Sequence, residues 1–124
     1  MSFIDQTVLS RLDNLDRGEV DGLDYGAVKV DDEGKILLYN RYEADLAGVE
    51  PTTAEGKNFF KEIAPCTNNK LFFGKFQKGV EANELNMAFN YTFTYKMKPT
   101  NVSIQMVRSD KDHSNWIFVK KKAA

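Results

Sequence analysis

Two hydrophobic rhythms divide the chain. Near the start, Ile4, Val8, Leu9, Leu12 and Leu15 recur at three- and four-residue steps, which places them on one face of helical structure. Ser2 and Ser10 stand where they can cap helix starts, and Gly18 and Gly22 break the pattern. Helices this short do not persist alone, so residues 1–24 are expected to form a cap packed on the rest. Residues 25–30 and 35–39 read as a β-hairpin around Asp31-Asp32-Glu33-Gly34, a turn that closes on glycine.

Residues 40–66 keep no single period. Gly48, Pro51, Gly56 and Pro65 punctuate them, and short helical pieces are expected between these breaks. A helix is predicted over 70–82, with Phe72, Phe73, Phe76 and Val80 on one side. Over 86–96 the period drops to two, and Met87, Phe89, Tyr91, Phe93 and Tyr95 share a strand face. Lys96-Met97-Lys98-Pro99 turns the chain. Residues 101–108 and 115–120 supply two more strands around the polar loop 109–114. The predicted order is β-β-α-α-α-β-β-β: one α+β domain over 1–124, with a five-stranded antiparallel sheet and helices on one face. Its core spans 25–124 and its cap 1–24.

Length and charge narrow the function. A 124-residue chain is one domain, burying about two-thirds of its unfolded surface. Seventeen basic and eighteen acidic residues leave a net charge of −1, which points away from nucleic-acid or membrane-surface binding. Lys120–Lys122 reads as a solvated end. No apolar run approaches the ~20 residues of a membrane span, and no secretory leader is visible. With a single cysteine, a reducing cytoplasm is the expected location. No sustained apolar repeat suggests a coiled coil, so a monomer is expected. Nine Phe, five Tyr and one Trp predict an aromatic core whose tyrosine hydroxyls need partners.

The candidate chemistry centres on Cys66. A lone thiol forms neither an intramolecular disulfide nor a cysteine metal cage, so its possible roles are nucleophile or attachment point. His113, the only histidine, lies in the polar run Asp110-Lys111-Asp112-His113 and is expected in solvent, not beside Cys66. Metal-ligand spacing and phosphate-binding glycine loops are absent, so no enzymatic turnover is expected. Tyr39 and Glu43 become neighbours if the chain turns helical after Asn40. One reading is a buried tyrosine beside a solvated glutamate. The other is a pair of neutral donors facing a buried cavity, because an apolar site keeps a carboxyl protonated.

The run Gly56-Lys57-Asn58-Phe59-Phe60-Lys61-Glu62-Ile63-Ala64-Pro65-Cys66-Thr67, preceded by Tyr39-Asn40 and Glu43, is similar to the photoactive yellow protein family. Gly22-Leu23-Asp24-Tyr25-Gly26-Ala27, the stretch from Tyr91 to Thr100, and Trp116-Ile117-Phe118-Val119-Lys120 match the same pattern, so the resemblance covers nearly the whole chain. It implies a PAS-type blue-light photoreceptor, with the cap on the sheet face opposite the helices. It implies 4-hydroxycinnamic acid (p-coumaric acid) held as a thioester on Cys66, its phenolate bonded by Tyr39 and Glu43 and its carbonyl by the Cys66 N–H. Val28, Phe59, Ile63, Ala64, Pro65, Thr67, Phe93, Tyr95 and Met97 fall where the family lines its pocket. The resemblance further implies trans–cis isomerisation, proton transfer from Glu43, loosening of the cap, and signalling to a downstream protein. Met97 occupies the position linked to thermal reset.

Two positions depart from the family pattern. Ala47 stands where the family usually has a threonine supporting the tyrosine, and Val49 where it usually has an arginine lid. The competing reading is a PAS-like module that holds a small ligand without covalent attachment.

Overall fold

Gly34 organises the first hairpin. Its φ of +94° is a conformation that a side chain disfavours. Its N–H donates to Asp31 O at 3.1 Å, while the Asp31 carboxylate accepts from the N–H groups of Glu33 and Lys35. The turn therefore satisfies itself and sends the chain back antiparallel.

The computed structural model describes residues 3–94 and 98–122. The short helices α1 (Gln6–Leu9) and α2 (Arg17–Asp21) precede strands β1 (Gly26–Val30) and β2 (Ile36–Tyr39). Helices α3 (Arg41–Ala47) and α4 (Pro51–Ala54) follow, then a π-helical turn at Phe59–Ile63 and a 3-10 turn at Pro65–Thr67. Helix α5 (Phe73–Glu81) leads into β3 (Asn86–Phe93), β4 (Thr100–Arg108) and β5 (Asn115–Lys121). The sheet order is β2-β1-β5-β4-β3, antiparallel throughout.

Both faces of this sheet are buried, and the period-two alternation of side chains assigns each residue to one of them. Val28, Val30, Ile104, Met106, Ile117 and Val119 pack with Phe59, Phe60, Phe72 and Phe76. Ala27, Val107, Trp116 and Phe118 pack with the cap residues Ile4, Val8, Leu12 and Val20. The Trp116 indole N–H donates to Leu12 O at 3.1 Å, fixing the cap by a polar contact inside an apolar layer. Each such large side chain, fully buried, contributes about 1.5–3 kcal/mol. The expected architecture of sheet, helices on one face and cap on the other is what the chain adopts.

Several local expectations are corrected. Ser10 ends α1 and Ser2 lies outside the described residues; Asp5 and Asp16 precede the two cap helices, and only Asp16 accepts a capping bond, from Glu19 N–H. The periodic stretch through Leu15 is helical only at Gln6–Leu9, with turns beyond. Helix α5 starts at Phe73, not at residue 70, because the Asn69 side chain takes the Leu71 and Phe72 N–H groups into a local turn. Strand β3 ends at Phe93; Tyr95 and the first two residues of the expected turn lie outside the described residues. Among the described residues no helix is long and apolar enough to cross a membrane.

A Cβ added at Gly34 would lie 2.7 Å from Phe60 Cδ2, in addition to the unfavourable φ. Gly34→Ala is expected to destabilise the fold by about 1–3 kcal/mol, read as a lower urea midpoint at an unchanged slope.

Candidate functional site

Asn40 sets the geometry of the site. It ends the hairpin and caps α3, and it is fully buried. Its Oδ1 accepts from Ala27 N–H at 2.9 Å and Glu43 N–H at 3.1 Å. Its Nδ2 donates to Val20 O at 2.8 Å and Tyr25 O at 3.0 Å. One amide thus joins the cap, β1 and α3. A glutamate three residues after such a cap often reaches back to the cap's own N–H. Here Asn40 N–H donates to Ala27 O instead, and Glu43 turns inward with 1% exposure. The reading with a solvated glutamate is therefore corrected: Glu43 is buried.

Tyr39 and Glu43 line one cavity of about 500 Å³ together with Ala47 and Val49. Neither Tyr39 Oη nor Glu43 Oε1 has a hydrogen-bond partner in the protein. Burial pushes the Glu43 carboxyl up from its ordinary 4.5 to about 8, so it stays protonated at neutral pH and can donate. Burial, and then the neighbouring Glu43 charge, push the Tyr39 hydroxyl well above its ordinary value. Two neutral donors face the same space. Gly26 on β1 permits this, since a Cβ there would fall 2.2 Å from Glu43 Oε1.

Cys66 reaches the same cavity from the opposite stretch of chain, with Ile63 and Ala64. The π-helical turn begins under Asn58, whose side chain accepts from Phe60 and Lys61 N–H. Pro65 then starts the 3-10 turn that carries Cys66, and the first N–H groups of such a turn lack partners within it. The Cys66 carbonyl is held by Tyr91 Oη at 2.7 Å and Asn69 Nδ2 at 3.2 Å, and Asn69 Nδ2 also donates to Tyr91 Oη. Cys66 is half-buried and free.

Of the other residues expected at the site, Phe93 lines the cavity. Val28 and Phe59 are fully buried in the adjoining core. Pro65 and Thr67 do not line it; the Thr67 hydroxyl donates to Ala64 O at 2.6 Å, within its own turn. Tyr95 and Met97 lie outside the described residues. Gly48, Thr53, Lys57 and Glu62 also line the cavity, and no periodicity marks them because they sit in the irregular segment. His113 is exposed and is not among the residues lining the cavity. Among the described residues no His, Cys, Asp and Glu cluster could hold a metal.

Comparison with known proteins gives consistent matches. The PAS fold family model matches residues 14–119. The chain is similar to the photoactive yellow protein of Rhodothalassium salexigens, 47% identical over 103 residues, covering 83% of this chain and 82% of the relative. It is similar to that of Halochromatium salexigens, 42% identical over 110 residues, covering 89% and 88%. Among solved structures, the photoactive yellow protein domain of the sensor histidine kinase Ppr from Rhodospirillum centenum aligns with a TM-score of 0.85 at 40% identity, covering 90% of this chain and 98% of that one. The RpfR PAS domain of Cronobacter turicensis, solved with BDSF, aligns at a TM-score of 0.65 and 12% identity, a likeness of fold alone.

The raised Glu43 pKa has a testable sign. Between pH 4.5 and about 8 the folded chain holds a proton that the unfolded chain has lost. Stability from this group is therefore complete below pH 4.5 and is lost as pH rises through that window, by up to about 1.4 kcal/mol per unit. Chemical denaturation of the ligand-free protein across this range is expected to show the decline, and Glu43→Gln to flatten it.

Proposed function

This chain belongs to the photoactive yellow protein family and is a PAS-type photoreceptor; on that premise we propose that it senses blue light through 4-hydroxycinnamic acid held as a thioester on Cys66. The observation that carries this reading is the pair of buried, unpartnered groups, Tyr39 Oη and Glu43 Oε1, in the cavity that also contains Cys66. An unsatisfied buried polar group costs about 1–3 kcal/mol. Two of them at one cavity fit a site built for an oxygen that only a ligand supplies. A volume of about 500 Å³ suits a small aromatic acid.

When bound, the group supplies a phenolate and a double bond that light isomerises from trans to cis. The protein's residues do the rest. Cys66 would carry the acyl group as a thioester, its thiol proton leaving with the leaving group of the activated acid, and its N–H would donate to the acyl oxygen. Tyr39 and the protonated Glu43 donate to the phenolate. Burying an anion costs several kcal/mol, and hydrogen bonds to a charged group return about 1.5–3 kcal/mol each, so the balance is close. Ile63, Ala64 and Phe93 wall the site against water.

Glu43 is also the proton source. Once it gives up its proton it becomes a buried carboxylate without a partner, which the fold resists. Asn40 carries the response outward, because it holds Glu43 N–H with one atom and the cap's Val20 O with another. The cap over residues 1–24 is thereby loosened, and the loosened cap is the signal to a downstream protein. Met97 is assigned the reset role on family resemblance alone. The alternative of a non-covalent ligand lacks a reason for the paired donors beside a free thiol.

Reconstitution with activated 4-hydroxycinnamic acid is expected to raise the intact mass by one chromophore less water, and Cys66→Ala to abolish the increase. Unchanged mass in a folded sample would favour a non-covalent ligand. The loaded protein is expected to absorb in the visible at pH 7 as the phenolate; a protonated, ultraviolet-absorbing dark state would overturn the role given to Tyr39 and Glu43. Ala47→Thr is expected to shift the absorption or the dark recovery rate, since it restores a hydroxyl beside Tyr39.

A further inference from the structure

Tyr39 ends an edge strand. The outer edge of β2 is covered by the following segment: Ile36 N–H donates to Lys57 O, and Gly56 N–H to Ile36 O, both at 2.8 Å. At Tyr39 this backbone cover stops. Its N–H instead donates to Glu55 Oε2 at 3.0 Å, so a side chain replaces the missing strand acceptor. The same Glu55 Oε2 is bonded by Arg17 Nη2, the first residue of α2 in the cap. One carboxylate oxygen thus lies between a cap cation and the backbone of the phenol that faces the cavity.

We propose that Glu55 is a positioning residue for Tyr39 and that, through Arg17, it straps the cap to the site. The proposal rests on the photoreceptor reading only for what the strap regulates, not for its existence. The backbone bond fixes the amide from which the Tyr39 ring enters the cavity, and so fixes Oη. The ion pair makes that bond sensitive to whether the cap is docked. Among the described residues a second ion pair, Lys120–Asp24 at 3.8 Å, links the cap to the core. Its carboxylate is 85% exposed, against 23% for Glu55, so water screens it more strongly. The Asp21 and Asn40 contacts also hold the cap, but neither is a hydrogen bond to Tyr39. Arg17 is 49% exposed. A pair this open to water changes an equilibrium by about two- to fivefold, which suits a bias on cap docking better than an all-or-none latch.

Three variants separate the two roles. Glu55→Gln keeps an acceptor for Tyr39 N–H but loses the charge, Arg17→Gln loses the cation, and Glu55→Ala loses both bonds. In the ligand-free protein, cap cleavage by a protease that ignores basic residues is expected to accelerate about two- to fivefold in all three. The Arg17→Gln/Glu55→Gln double variant is expected to be no faster than either single one. The Tyr39 amide resonance is expected to move upfield in Glu55→Ala and to return most of the way in Glu55→Gln. In the loaded protein, Glu55→Ala is expected to shift the dark absorption, while Glu55→Gln and Arg17→Gln slow dark recovery with little spectral change. Unchanged cleavage, additive single substitutions, or a Tyr39 amide and spectrum indifferent to Glu55→Ala would each overturn the proposal. Wild-type protein that takes up no chromophore would instead sink the photoreceptor reading, and the two ligand-free measurements would still decide the strap.

Discussion

A carboxyl group without a partner inside a protein is a standing cost, and this fold is arranged to keep one there. Glu43 sits at the third position of α3, where it could have capped its own helix. Asn40 removes that option by sending its N–H to Ala27, and Gly26 removes the steric bar by offering no side chain. The result is a neutral acid beside a neutral phenol, both facing one cavity. Neither Tyr39 Oη nor Glu43 Oε1 gains a hydrogen bond from the protein in this position. Their arrangement is explained by what they can donate to, and the apolar layers on both sides of the sheet offset the expense.

The two layers divide the work. The layer under α5 is dense with aromatic rings, Phe60 stacking on Phe73 and meeting Phe59 and Phe72 edge-on. It forms the rigid bed on which the π-helical turn and Cys66 rest. The cap layer is held by shorter helices and by a few polar ties to Leu12, Val20 and Arg17. Local opening draws on regions with few buried contacts, and on the proposed reading the cap is the side that yields while the cysteine side stays in place. The two sides meet at Tyr39, Asn40 and Glu43, where a change of charge acts on both.

The sheet was legible because period two is a strong signal in β3, because the polar loop 109–114 separates two further strands, and because Gly34 closes the hairpin turn. The cap helices were less so: Ile4 to Leu15 have helical spacing, but Asp16 makes the one side-chain capping bond, at α2, and turns fill the gap between the two helices. At the site, Cys66, Tyr39 and Glu43 could be named from the motif, and Ile63, Ala64 and Phe93 from resemblance. Thr53, Lys57 and Glu55 could not. They sit in aperiodic chain, and their roles depend on which strand edge the backbone happens to cover. Thr67 was placed at the pocket by resemblance, but its hydroxyl bonds back to Ala64 within its own turn.

The same geometry bears on Ala47 and Val49. Their missing hydroxyl and guanidinium do not leave an apolar vault, because Thr53 and Lys57 line the cavity as well. Both of these are exposed, so they act where solvent and salt weaken charge effects. Tyr39 and Glu43, by contrast, act in full burial, where each donor counts for more. A substitution at the half-buried positions 47 and 49 therefore perturbs the weaker end of the electrostatic gradient. On the proposed reading, the deep pair sets whether an anion can be held at all, and the mouth adjusts how firmly.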